Sequence, residues 1–400
     1  MGNIVLGLQG TVDYEVVWDS EVIGELADEY GITLAELSTA IPVDSERALV
    51  TVLLAFLRDG AGGERFVVSS DLVEQFAARF ETAITLGGTS VRAALAMRVL
   101  GQPSILHLVS IDDNVRRLLP EDCAYVCSAD RDTLDPHLIL QYREGETVHF
   151  DRTSITSPHP NRVIFANDPP ARELVLSPQL GSLLEDADVF LISGFNVVQD
   201  VELIEERLGQ LREHLSHLPD GAVVMYEDAG FHILSMSALV RDALLPFIDV
   251  YSMNEDELQT YLGRSVDLLD VDQVEAALED ARRLIPARVL TIHTKYWSLA
   301  AGETAGRYRE ALLGGITMAS ARYLHGDVFS AEDYAAIAGQ PVNPGGAAFA
   351  EAFTARHGSE VVVLPAYRIE TASPTTIGLG DTFVGGFIEA FARSRREVSA

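Results

Sequence analysis

The stretch Thr376-Ile377-Gly378-Leu379-Gly380-Asp381-Thr382-Phe383 follows a polar loop, 371–376, and runs into Phe383-Val384-Gly385-Gly386-Phe387-Ile388-Glu389-Ala390-Phe391, whose apolar residues recur at helical spacing. It reads as a loop feeding a helix amino terminus. Glycines at 378 and 380 leave backbone N–H groups free to converge on an anion, and the helix dipole adds partial positive charge at the same point. A carboxylate beside such an anion hole opposes it unless it has chemistry to do. Asp381 is placed to take the proton of a hydroxyl that attacks a phosphoryl group. The plainer account of Gly378-Leu379-Gly380-Asp381 is a glycine-rich turn with Asp381 as helix N-cap.

Upstream, strand-like apolar runs alternate with helix-like segments, the pattern of an α/β fold with a mostly parallel sheet and covering helices. Val189-Phe190-Leu191-Ile192 ends at Ser193-Gly194, Ala222-Val223-Val224-Met225-Tyr226 at Glu227-Asp228, Val289-Leu290-Thr291-Ile292 at His293-Thr294, and Val361-Val362-Val363-Leu364 at Pro365. Open α/β sheets place their ligands at the carboxyl ends of such strands, so the site is expected along that edge.

Two regions alternate less clearly, about 14–75 and about 120–170. The second holds the β-type pieces Leu138–Tyr142 and Thr147–Phe150 about Arg143-Glu144-Gly145-Glu146, which reads as a hairpin turn. The expectation is a small, discontinuous, β-rich lid from 14–75 and 120–170, with 1–13, 76–119 and 171–400 forming the large domain.

The chain has 400 residues, 48% of them hydrophobic, enough for a large core. Its formal charge of −31 argues against nucleic acid as a partner. Lys295 is the only lysine, so the glycine-rich lysine loop of Walker type is absent. Cys123 and Cys127 lack partners at zinc-site spacing and read as plain thiols. No run of eighteen uncharged apolar residues occurs, and Met1 leads directly into the strand-like Ile4–Leu8, so a cytoplasmic protein without a membrane anchor is expected. Oligomeric state is not legible.

Thr376-Ile377-Gly378-Leu379-Gly380-Asp381-Thr382 resembles the phosphate-binding signature of the ribokinase-like superfamily. With Pro374 ahead of it, the stretch is most similar to the ADP-dependent glucokinase and phosphofructokinase branch. The resemblance implies a three-layer ribokinase-like domain with a β-rich lid. It implies a sugar kinase in which Asp381 is the base, Gly378 and Gly380 stabilise the transferring phosphoryl group, and Leu379 and Thr376 contact the nucleotide. The donor would be ADP or ATP and the acceptor a sugar or sugar phosphate, with Mg²⁺ or another divalent cation. Asn254 and Glu257 match the family's Asn-x-x-Glu motif, and Glu227 its His-x-Glu motif with Met225 in place of histidine. These three would support the metal, since carboxylates and amides hold Mg²⁺ through its waters. Asn254 and Glu257 fit a helix capping box equally well.

Asp13, in Gly10-Thr11-Val12-Asp13, occupies the place of a sugar-hydroxyl ligand, and Gly87-Gly88-Thr89 resembles the family's substrate loop, with threonine departing from the usual amide. Arg92 and Arg162 are candidates for a sugar-phosphate clamp. His293, Lys295 and Tyr367 follow strands in the half that would hold the nucleotide. Asp13 reads otherwise as a turn residue, Glu227 as a strand-end acid and Lys295 as a solvated cation. Two alternatives stay open: an ATP-dependent ribokinase-like kinase for another sugar or nucleoside, and a catalytically silent binding protein of the same fold.

Overall fold

The computed structural model describes residues 2–231, 233–371 and 374–399, so 372 and 373 of the polar loop lie outside the described residues. Its strands are β1 (Asn3–Leu6), β2 (Thr11–Val16), β3 (Gly63–Phe66), β4 (Thr82–Gly87), β5 (Ile105–Leu108), β6 (Ala124–Cys127), β7 (His137–Tyr142) and β8 (Thr147–Phe150). There follow β9 (Thr153–Thr156), β10 (Asn161–Ala166), β11 (Ala187–Ile192), β12 (Val223–Glu227), β13 (Val250–Asn254), β14 (Val289–His293), β15 (Trp297–Gly302) and β16 (Val361–Pro365).

Among the described residues, the large sheet has nine strands in the order β16-β15-β14-β13-β12-β11-β1-β5-β6. Only β15 runs against its neighbours. Parallel strands covered on both faces must be apolar on both faces. Val5, Phe190, Ile192 and Tyr251 enter one core, with helices Val201–Leu215, Val271–Leu284 and Pro344–His357. Ile4, Leu6, Val189, Leu191 and Met225 enter the other, with Thr89–Val99, Arg309–His325 and Leu379–Ser399. The result is the three-layer α/β arrangement expected.

That second helical layer sets the site. Helix Leu379–Ser399 crosses the other two so closely that a Cβ on Gly385 would fall 2.6 Å from the carbonyl oxygen of Ala93. Only glycine permits that approach, and it brings the helix starts at 89 and 379 together.

The smaller sheet has the order β3-β10-β7-β2-β4. One face, with Val16, Leu138, Leu140, Tyr142, Val163 and Phe165, packs on helices Ser20–Glu29, Glu46–Asp59 and Ser70–Ala77. The other face carries Asp13, Glu15, Thr85, His137, Gln141 and Arg162, which the strand registers place side by side.

Three expectations need correction. Strand β4, expected in the large domain, pairs antiparallel with β2 in the smaller sheet. Strand β6, expected in the lid, extends the large sheet beside β5; it is short and half exposed, so it lacks the apolar run that marks the buried strands. The hairpin expected about Glu144–Gly145 does not form: β7 pairs with β2 and β10, whereas β8 pairs with β9. The β8–β9 turn is Asp151–Arg152, both with positive φ (46° and 57°), a backbone twist that suits a two-residue hairpin though neither residue is glycine.

Candidate active site

Gly378 has φ +66°, and its carbonyl accepts the first helical bond from Thr382 N at 3.0 Å. The N–H groups of 378–381 therefore have no acceptor within their own helix and form a donor cluster at the positive end of a 21-residue helix. Asp381 is the third helical residue, not the N-cap. Its Oδ1 accepts from Thr89 Oγ1 at 2.8 Å, which leaves the carboxylate beside the donors and half exposed.

Below it lies Arg92, 4% exposed. Its Nη2 is 2.8 Å from Asp13 Oδ2 and 3.4 Å from Glu15 Oε1, its Nη1 3.6 Å from Asp327 Oδ1, and its Nε 4.0 Å from Asp381 Oδ2. Asp327 also receives Arg322 Nη1 at 2.6 Å, and Arg322 Nε donates to the Ile377 carbonyl at 2.7 Å. Arg92 was expected as a clamp open to a sugar phosphate. The guanidinium is instead enclosed and spent on carboxylates. Arg162 is exposed on the inner face of the smaller sheet, opposite Gln141, whose Oε1 accepts from Thr376 Oγ1 at 2.8 Å. Gly87 and Gly88 join β4 to the helix that begins at Thr89.

Further along the sheet edge, Asn254 and Glu257 form a complete capping box: Asn254 N donates to Glu257 Oε2 at 2.7 Å, and Asn254 Nδ2 to Oε1 at 2.8 Å. Burial, with Asp228 and Glu227 nearby, pushes the Glu257 carboxyl well above its ordinary range. Glu227 Oε1 lies 3.0 Å from His293 Nε2, and the His293 ring stacks on Phe383 with centroids 4.5 Å apart. Glu227 Oε2 is buried and has no hydrogen-bond partner. Asp228 accepts from the hydroxyls of Tyr226, Tyr251 and Tyr261, and burial raises its carboxyl. Met225, where the family's histidine would stand, points into the core.

Among the described residues, no three His, Cys, Asp or Glu side chains converge as a ready metal cage. The orphaned Glu227 oxygen and the mutual repulsion of Glu227, Asp228 and Glu257 nonetheless suit a hydrated divalent cation, which such carboxylates hold through water. Lys295 is exposed at the β14–β15 turn, 5.1 Å above the Tyr296 ring. Tyr367 is half-buried and bridges Val342.

Sequence reading missed Glu15, Arg322, Asp327, the His293–Glu227 contact and the Asp228 tyrosines. Glu15 had a signal: two residues past Asp13 on a strand, it shares that residue's face.

A donor cluster at a helix start, a carboxylate within it and a second, smaller sheet beside both are the features of a ribokinase-like kinase. Solved structures agree in fold. A phosphofructokinase from Pyrococcus horikoshii OT3 with AMP has TM-score 0.79 at 19% identity, covering 99% of each chain. An ADP-dependent kinase in complex with fructose-6-phosphate and ADPβS has TM-score 0.70 at 16% identity, covering 97% of this chain and 93% of that one. An adenosine kinase from Sinorhizobium meliloti has TM-score 0.55 at 13% identity, covering 98% and 88%. No curated protein matches the sequence. The chain belongs to the family defined by the ADP-specific phosphofructokinase/glucokinase conserved region, which matches residues 2–387, and it is thus a sugar phosphotransferase acting on a hydroxyl.

Proposed function

We propose that this chain transfers the terminal phosphoryl group of ADP to a hydroxyl of a hexose or hexose phosphate, leaving AMP. Asp381 takes the hydroxyl proton as the new O–P bond forms and the bond from the terminal phosphorus to the bridging oxygen breaks. The N–H groups of 378–381 meet the charge on the transferring group. Asp13 orients the acceptor by receiving hydrogen bonds from its hydroxyls, and the lid excludes water that would compete as acceptor.

Glu227, Asn254 and Glu257 would hold a hydrated Mg²⁺, which neutralises phosphate charge when bound. The observation that carries this reading is the place of Asp381: it bonds Thr89 beside its helix's unpaired N–H groups. The family, and a structural neighbour described with fructose-6-phosphate and ADPβS, support the donor and acceptor classes.

Glucose and fructose 6-phosphate, each assayed with ADP and with ATP in the presence of Mg²⁺, test it. Turnover with ADP and one of the sugars is expected. Turnover with ATP alone would overturn the donor, and none with any pair the whole reading.

A further inference from the structure

Arg92 presents three nitrogens to three sets of carboxylates: Nη2 to Asp13 and Glu15, Nη1 to Asp327, Nε to Asp381. Its side chain is 3% exposed, while those of Glu15, Asp327 and Asp381 are 21%, 44% and 27% exposed, so the cation is the buried hub and these acids reach the surface around it. The backbone is built around it. A Cβ on Gly378 would fall 2.6 Å from Arg92 Cδ and 3.0 Å from Nε, so the anion loop rests directly on the arginine stem. The loop's other support, Arg322, reaches the same Asp327 and holds the carbonyl of Ile377.

We propose that Arg92 is the positioning residue of the reaction, one rigid planar cation that holds the acceptor-orienting Asp13, the base Asp381 and the loop at Gly378 in fixed relation. This rests on the roles given above to Asp13 and Asp381. Enclosed at 3% exposure, Arg92 acts through these side chains. It carries the relation because a guanidinium offers donors in fixed, diverging directions, whereas an ammonium is a point charge on a flexible stem. Asp13 comes from the smaller sheet, whereas Arg92 and Asp381 come from two helices of one layer on the larger sheet. Among the described residues, Thr89 Oγ1 makes the one hydrogen bond to the Asp381 side chain, and Arg92 Nε adds its charge at 4.0 Å. Misplacing a reacting group by about 1 Å costs on the order of 100-fold in rate.

Arg92→Met and Arg92→Lys test this by steady-state kinetics and by crystal structures of the unliganded variants. In Arg92→Met, kcat falls about 100-fold and the acceptor KM rises, while the nucleotide KM stays within about twofold. Arg92→Lys restores folding and much of the acceptor KM but leaves kcat depressed by about tenfold, because one ammonium cannot meet all the partners. The variant structures show Asp13 and Asp381 displaced relative to each other by about 1 Å or more. Wild-type kcat in Arg92→Lys, or unmoved carboxylates in either variant, overturns the proposal. Should Arg92→Met not fold, Arg92→Lys decides. If wild-type protein turns over no sugar with any nucleotide, the assigned reaction falls, and the variant structures still decide whether Arg92 sets the geometry.

Discussion

Thr89 Oγ1 donates to Asp381 Oδ1 at 2.8 Å although 292 residues separate them in the chain. The threonine stands where the family resemblance leads one to expect an amide, and it fixes the carboxylate oxygen that its own helix does not cap. The departure therefore adds a tether for the proposed base.

Thr89→Val removes the tether and keeps the shape, so kcat should fall by about tenfold from a less well-aimed carboxylate. Asp381→Asn removes the proposed base and should cost about 10²- to 10⁴-fold, the usual worth of general-base catalysis. Nucleotide binding by calorimetry should survive both. An Asp381→Asn variant with wild-type turnover would falsify the base assignment.

Gly378→Ala sets a side chain at φ +66° with its Cβ 2.6 Å from Arg92 Cδ. The left-handed backbone alone costs roughly 1–2 kcal/mol, and the clash displaces the anion loop. Chemical denaturation should show the loss of stability and kinetics a larger loss of kcat. If the midpoint and rate are both unchanged, the loop is not as tightly seated as its contacts indicate.

Glu227 offers one oxygen to His293 and keeps the other buried without a partner. Glu227→Gln should raise the Mg²⁺ concentration for half-maximal rate by about 10- to 100-fold, the range seen when a metal's supporting groups are altered. Mg²⁺ titrations of initial rate read this directly, with circular dichroism as the check on folding. An unchanged Mg²⁺ requirement removes Glu227 from the metal's surroundings.

His137 lies 3.3 Å from Asp168, and that carboxylate outweighs the effect of burial to lift the imidazole to about 9. A folded-state value above the unfolded one, about 6.5, means the native protein binds the extra proton. The stabilisation is complete below about pH 6.5 and disappears as pH rises through about 9, an effect on the order of 3 kcal/mol. Urea unfolding across that window should show stability falling more steeply for wild type than for His137→Gln. Parallel slopes would remove His137 as the cause.

The large sheet was legible because strands buried on both faces are almost wholly apolar, as in Val189–Ile192 and, but for Thr291, Val289–Ile292. The anion loop was legible because few backbones other than a glycine-bearing one turn so sharply into a helix. Asn254 and Glu257 were legible as a cap, and the cap is what forms. Local spacing carries no information about distant partners, however. Nothing near Arg92 announces Asp327 or Asp381, so its side chain read as a free cation when it is an occupied one. Strand β7 looked like half of a hairpin because its neighbour in sequence is a strand. Its actual partners, β2 and β10, are chosen by the lid core that Leu138, Leu140 and Tyr142 enter.

The close seating of helix Leu379–Ser399 against Thr89–Val99 and Arg309–His325 also bears on how the molecule is made. A fragment of residues 1–377 contains Asp13, Glu15, Thr89 and Arg92 but neither the donor loop nor Asp381. During synthesis and refolding, contacts this distant in sequence form late, because closing so long a loop costs entropy before any contact repays it. The contacts that join Asp381 and Gly378 to Thr89 and Arg92 therefore carry one of the larger loop-closure costs in the fold.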